Sequence, residues 1–267
     1  MKTLVVDCGA SKTHWLLSDG KLIRTPGFNL AHTPVADLEP ILTEAARLLG
    51  QGIDTIFFYA AGLVGESPVD LGRWFPGARI HYASDMLGAA RAVCGREKGI
   101  AAIVGTGANT CQWDGTQIVR KVNCGGYIIG DEGSASVLGK LFITDFLKGH
   151  MPKDIADDFA ANFQADYPTI VKNVYSGSAP ARYLGGFAPF ILSYYNTSDY
   201  AKMLVDNNFR GFFERTVLKY DSLPLGIAGG FGYACREIIK ALAVEYGVEI
   251  SGICASPLEA LMKYHGV

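Results

Sequence analysis

The sequence contains no C-x-x-C pair, no histidine cluster and no apolar run near the ~20 residues that a membrane span requires. Its six cysteines (Cys8, Cys94, Cys111, Cys124, Cys235, Cys254) are scattered, and its five histidines share no metal-ligand spacing. A disulfide framework or a protein-held metal centre is therefore not the organising feature. With no secretory signal pattern at the start, reduced thiols and a cytoplasmic protein are expected. Charge of one sign is not in excess either: 24 Lys and Arg stand against 26 Asp and Glu. A net charge of −2 gives no basis for nucleic acid or an anionic membrane as partner. No serine or cysteine nucleophile motif is present. Charged residues make up 19% and hydrophobic ones 49%, the balance of a chain that buries a core. At 267 residues that core serves one large domain or two ordinary ones.

What the chain does have is a short pattern that occurs twice. Val5-Val6-Asp7-Cys8-Gly9-Ala10-Ser11 leads through Trp15 to Asp19-Gly20, and Ile103-Val104-Gly105-Thr106-Gly107-Ala108-Asn109 leads through Trp113 to Asp114-Gly115. An apolar strand that enters a tight glycine turn and doubles back is a hairpin. Small residues leave the backbone N–H groups of such a turn open to an anion such as phosphate. Two such turns in two similar half-chains predict a duplicated α/β protein holding one polyphosphate between its halves. Asp7, ending its strand beside the first turn, is placed to hold a water of a nucleotide-bound Mg²⁺, or else to accept hydrogen bonds from its own turn. Ser11, Lys12 and Thr13 are phosphate donors in this reading, although Lys12 reads equally as a solvated hairpin lysine.

The pattern of elements alternates. Strands are predicted over residues 3–8, 14–18 and 21–25, followed by a helix through Val35–Leu49 opened by Thr33-Pro34. Strands at 55–61 and 79–83 flank a short helix near 70–75, and Ser84-Asp85 opens a small-residue helix at 86–93. The glycine-flanked stretch 94–99 is the expected boundary between a domain of residues 1–95 and one of residues 96–255. The second half repeats the scheme with strands at 100–105, 109–113, 117–123, 225–228 and 249–254, and a helix at Tyr233–Glu245. It also carries an almost wholly helical insertion at 135–220. A last helix at 257–265, within a C-terminal segment 256–267, is expected to pack back on the first domain. Aromatic residues of 181–220 fall mostly at helical spacing, which predicts core or homodimer packing.

Five segments in order resemble the BadF/BadG/BcrA/BcrD-type ATPases and, within them, the N-acetylglucosamine kinases. They are Asp7–Thr13, Ser84-Asp85, Gly105–Asn109, Gly130-Asp131-Glu132-Gly133-Ser134 and Gly229-Gly230. The resemblance implies two ribonuclease-H-like domains of the actin/hexokinase type, related by duplication, with a nucleotide and sugar cleft between them. It implies ATP and Mg²⁺ as cofactors and transfer of phosphate to the 6-hydroxyl of an amino sugar, with N-acetylglucosamine leading. By resemblance Asp85 is the catalytic base; an Asp in this place is also a favoured helix N-cap. Gly9, Thr106 and Gly107 belong to the phosphate turns, and Gly229 and Gly230 to the adenosine seat. Asn29, Asn109 and Asp131 contact the sugar, although Asn29 and Asn109 also read as turn-formers and the Asp131-Glu132 pair as charges favouring a helix N-terminus, with Glu132 left open. Cys8 and Ala10 stand where the family has glycine, so any φ > 0 required there would be strained. Two other outcomes share the fold: an ATPase activator of a CoA-ester reductase or dehydratase, and a non-catalytic sugar or nucleotide sensor.

Overall fold

The computed structural model describes residues 2–267. The first half runs β1 (Thr3–Cys8), β2 (Lys12–Leu17), β3 (Leu22–Pro26), α1 (Val35–Leu49), β4 (Thr55–Ala60), β5 (Arg79–Ser84) and α2 (Asp85–Cys94). The second half opens with β6 (Gly99–Val104), β7 (Ala108–Trp113), β8 (Ile118–Arg120) and the short α3 (Gly126–Ile129). The helical insertion follows as α4 (Ala135–Lys148), α5 (Lys153–Asn162), α6 (Tyr167–Tyr175), α7 (Pro180–Gly185), α8 (Ala188–Ser193) and α9 (Asp199–Arg215). The chain closes with β9 (Leu225–Ala228), α10 (Gly230–Ala234), α11 (Arg236–Glu245), β10 (Ile250–Cys254) and α12 (Leu258–His265).

The two sheets have the same order. The first is β3-β2-β1-β4-β5 and the second, read from the matching edge, is β8-β7-β6-β9-β10. In each, an antiparallel meander continues into parallel strands. This is the mixed α/β, two-sheet architecture of the actin and hexokinase type. The apolar face of β1 (Leu4, Val6, Cys8) packs on α1, while Val5 on the opposite face meets Leu258, Leu261 and Met262 of α12. Helix α2 leaves the first sheet and buries Met86, Ala89 and Ala90 against Ala101, Cys111 and Trp113 of the second. The largest core lies between the second sheet and the insertion, where Phe142, Phe159, Phe209, Phe212 and Phe213 are fully buried. The insertion's aromatic residues therefore serve mainly its own core. No helix among the described residues is long and apolar enough to cross a membrane.

The structure corrects several local expectations. Thr33 does not cap α1; Pro34 stands at the N-cap and the Thr33 hydroxyl accepts from the Asn29 N–H at 3.1 Å. The expected strand 117–123 shortens to Ile118–Arg120, and the expected helix 233–245 is two helices meeting at Cys235. The two tryptophans of the repeat face different cores. In β2, Trp15 lies two residues beyond Thr13, which pairs with Cys8, and shares the α1 side with Cys8. In β7, Trp113 lies five residues beyond Ala108, which pairs with Val104, and so faces α2 instead. Side chains alternate with period two, so an even and an odd offset end on opposite faces.

Candidate active site

Parallel register sets the carboxylates. Cys8 pairs with Ala60 and Ala60 with Ser84, so β1, β4 and β5 end on one rim with Asp7 and Asp85 both at its edge. A ligand in an open α/β sheet lies outside these carboxyl ends. Burial, and then the neighbouring Asp85 charge, push the Asp7 carboxyl up to about 6 against the pull of Lys12. Burial also raises Asp85, opposed by the Met86 N–H and the Lys121 charge. The N-cap of α2 is Ser84, whose Oγ accepts from the Leu87 N–H at 3.2 Å. Asp85 is thus relieved of capping the helix and accepts from its neighbour, the Met86 N–H, at 2.8 Å.

The two glycine turns meet. Each is closed by a backbone bond, Gly9 N–H to the Lys12 carbonyl at 3.1 Å and Gly105 N–H to the Gly107 carbonyl at 2.9 Å. Between them the Ser11 and Thr106 hydroxyls are hydrogen-bonded at 3.0 Å. The strain expected at Cys8 and Ala10 is absent, because neither has positive φ. The Cys8 thiol turns into the core, accepting from the Thr13 hydroxyl at 3.2 Å. Thr13 is buried with it and faces away from the turn. Lys12 is exposed, with its Nζ 3.7 Å from where a Cβ on Gly230 would stand. Gly229 is glycine by necessity: its φ is +134°, and a Cβ there would collide with the Val104 carbonyl.

On the other wall, Asp131 has φ +58°, the one left-handed non-glycine among the described residues. Its N–H donates to the Cys124 carbonyl at 2.8 Å, and Ser134 caps α4 directly after it. Its Oδ2 lies beside Gly107, where a Cβ would come within 2.8 Å of it. Burial pushes the Asp131 carboxyl up to about 6, opposed by the Ala108 N–H. Glu132 lies 3.7 Å from Arg215 of α9. Asn109, Asp131, Glu132, Cys124, Phe212 and Thr216 line one small pocket, and Glu132 also lines an adjoining cavity of about 310 Å³ with Arg215 and Lys219. Asn109 Oδ1 accepts from the Thr110 N–H at 2.9 Å. Asn29 lies on the first half, its Oδ1 accepting from the Ala31 N–H at 2.9 Å beside Gly62.

Asp7, Ser11, Lys12, Thr106, Gly107 and Gly230 are thus brought around the meeting point of the halves, with Asp85 and Asp131 on its two walls. Lys121, Cys124, Phe212, Thr216 and Arg182 join them without any motif in the sequence to announce it. The donor set fits a magnesium nucleotide: hydroxyls and turn amides for phosphate, and a half-buried Asp7 carboxylate with no cationic side chain bonded to it among the described residues. At Gly105 a Cβ would meet nothing within 4 Å, so the second turn is open to an incoming group.

A protein of Porphyromonas gingivalis, proposed to be an N-acetylglucosamine kinase, shares 36% identity with this chain over 98% of each, with a TM-score of 0.92. The chain belongs to that protein's family. A second structure, a proposed N-acetylglucosamine kinase of Chromobacterium violaceum, is similar over 98% of each chain at 20% identity and a TM-score of 0.69, a likeness of fold. The fold is also that of a ROK family glucokinase from Streptomyces griseus solved with glucose and AMPPNP, at 12% identity over 99% of this chain and 98% of the other, TM-score 0.53. No family model and no curated protein matches the chain.

Proposed function

We propose that this chain is an ATP-dependent sugar kinase of the N-acetylglucosamine kinase branch of the BadF/BadG/BcrA/BcrD-type family, transferring the γ-phosphate to the 6-hydroxyl of an amino sugar. The observation that carries the reading is Asp85, a half-buried carboxylate with raised pKa that is spared from helix capping on the rim shared with Asp7. The relationship to the P. gingivalis protein supports it.

In this reading the polyphosphate lies between the Gly9–Ser11 and Gly105–Gly107 turns, within reach of Ser11, Lys12 and Thr106, with adenosine toward Gly229. Asp7 would hold a nucleotide-bound Mg²⁺ through water, and that ion would supply neutralising charge for the phosphates. Asn29, Asn109 and Asp131 hold the sugar hydroxyls. Asp85 accepts the proton of the 6-hydroxyl as its oxygen bonds to phosphorus and the bond to ADP breaks. Burial serves this role, because a carboxyl raised from its ordinary value is a better base once ionised. Thr13 keeps a structural part only, holding the Cys8 thiol.

The test is ADP release with Mg·ATP against N-acetylglucosamine, N-acetylmannosamine, N-acetylmuramic acid, glucosamine and glucose. One amino sugar is expected to give a rate that Asp85→Asn removes while ATP still binds. Near-normal turnover in that variant would end the assignment of the base, and a rate indifferent to every sugar would end the kinase reading.

A further inference from the structure

The helical insertion reaches back across the cleft. Arg182 of α7 donates through Nη2 to the carbonyls of Ala10 at 2.9 Å and Ser11 at 3.2 Å. These are the residues of the first phosphate turn, in the opposite half of the chain. No carboxylate among the described residues pairs with Arg182, although it is exposed. An exposed arginine that takes two backbone carbonyls and no acid is held for the turn, not for an ion pair.

The support behind it is rigid. Helix α7 packs so closely on α4 that a Cβ on Gly139 would collide with the Leu184 carbonyl. The first residues of α4 in turn hold the second phosphate turn, Ala135 N–H to the Gly105 carbonyl at 3.0 Å and Ser136 N–H to the Thr106 carbonyl at 3.1 Å. The carbonyls of both turns are therefore gripped by one unit, α4 with α7.

We propose that Arg182 is a positioning residue for the nucleotide phosphates, acting through the first turn. In a trans peptide the C=O and the following N–H point in opposite directions. Drawing the Ala10 carbonyl toward α7 therefore turns the Ser11 N–H to the far side of the turn, where an anion can take it. The guanidinium charge also polarises that peptide and strengthens its N–H as a donor. Because the contact spans the halves, the first turn is set for phosphate only while the insertion lies over it. The inference rests on the reading of this cleft as an ATP site.

Arg182→Ala and Arg182→Lys test it by calorimetry with Mg·ATP and with adenosine, beside thermal melts and steady-state kinetics with the preferred sugar. The alanine variant is expected to lose on the order of 10- to 100-fold in Mg·ATP affinity, the loss of charge-assisted hydrogen bonds. Adenosine affinity and the sugar KM should hold, the melting temperature should fall by no more than a few degrees, kcat should fall, and lysine should recover part of the loss. Unchanged Mg·ATP affinity in Arg182→Ala, or an equal loss for adenosine, would overturn the proposal. The binding arm needs no turnover, so a wild-type protein that binds Mg·ATP but phosphorylates no sugar sinks the kinase reading alone. A wild type that binds neither nucleotide overturns both.

Discussion

Replacing Asp7 by Asn should make the protein more stable at neutral pH, although Asp7 sits in the proposed catalytic cleft. In the folded chain burial and the Asp85 charge raise the Asp7 carboxyl from 3.8 to about 6. The folded state therefore holds the Asp7 proton more tightly than the unfolded state does. Its stabilising share is complete below about pH 3.8 and is lost as pH rises through about 6. A shift of that size corresponds to about 3 kcal/mol at pH 7.5, and partial exposure of the strand end brings the expected gain for Asp7→Asn to about 2–3 kcal/mol. For a chain of this size that is a rise of roughly 5–10 °C in melting temperature. The assay is thermal or denaturant unfolding of wild type and variant at pH 7.5 and at pH 4, without nucleotide. The gain should appear at pH 7.5 and shrink strongly at pH 4. Addition of Mg·ATP should then stabilise wild type more than the variant, because a nearby cation lowers the carboxyl pKa. A variant equal to or weaker than wild type at pH 7.5, or a gain that persists in acid, would refute the claim that Asp7 is held in the protein at an energetic cost for function.

The Asp131 carboxyl is also raised to about 6, and in the proposed sugar-binding role its ionised form is the stronger acceptor, so kcat/KM for sugar should climb through about pH 6; a flat profile from pH 5 to 7 would count against that role. Buried Asn208 accepts from the Gly133 N–H and donates to the Ser134 carbonyl, both at 3.1 Å, so Asn208→Ala orphans two buried backbone groups beside Asp131. It should cost about 2–4 kcal/mol by urea unfolding and raise the sugar KM. Gly62 has φ +76° and a Cβ there would collide with the Asn29 amide, so Gly62→Ala should displace Asn29 and raise the sugar KM with little change in ATP affinity.

Much of the fold was legible because its signals are local. Helix α1 announces itself by apolar residues at helical spacing, and the two glycine turns by their composition. The pairing of Asp7 with Asp85 was less visible, since it depends on parallel register between strands more than 70 residues apart in the chain. The Asp85 cap question was undecidable from Ser84-Asp85, as both residue types cap helices; only the Leu87 N–H shows that Ser84 does it. The strain expected at Cys8 and Ala10 failed because the turn's φ values stay negative, a choice made by the β1–β2 register and not by the residues themselves. Which core each tryptophan of the repeat faces was not legible, because the offset from the turn is even at Trp15 and odd at Trp113.

By itself the sequence determined what residue chemistry and local spacing can determine: two similar halves, a helical insertion in the second, small-residue turns after the first strand of each half, and carboxylates at strand ends. Tertiary structure decided what depends on the meeting of distant segments. It joined Ser11 to Thr106, brought Glu132 to Arg215, and carried Arg182 from the insertion onto the first turn. Periodicity reports the environment of a residue within its own helix or strand. Which carbonyl an exposed arginine will hold 172 positions away is set only when the halves close on each other.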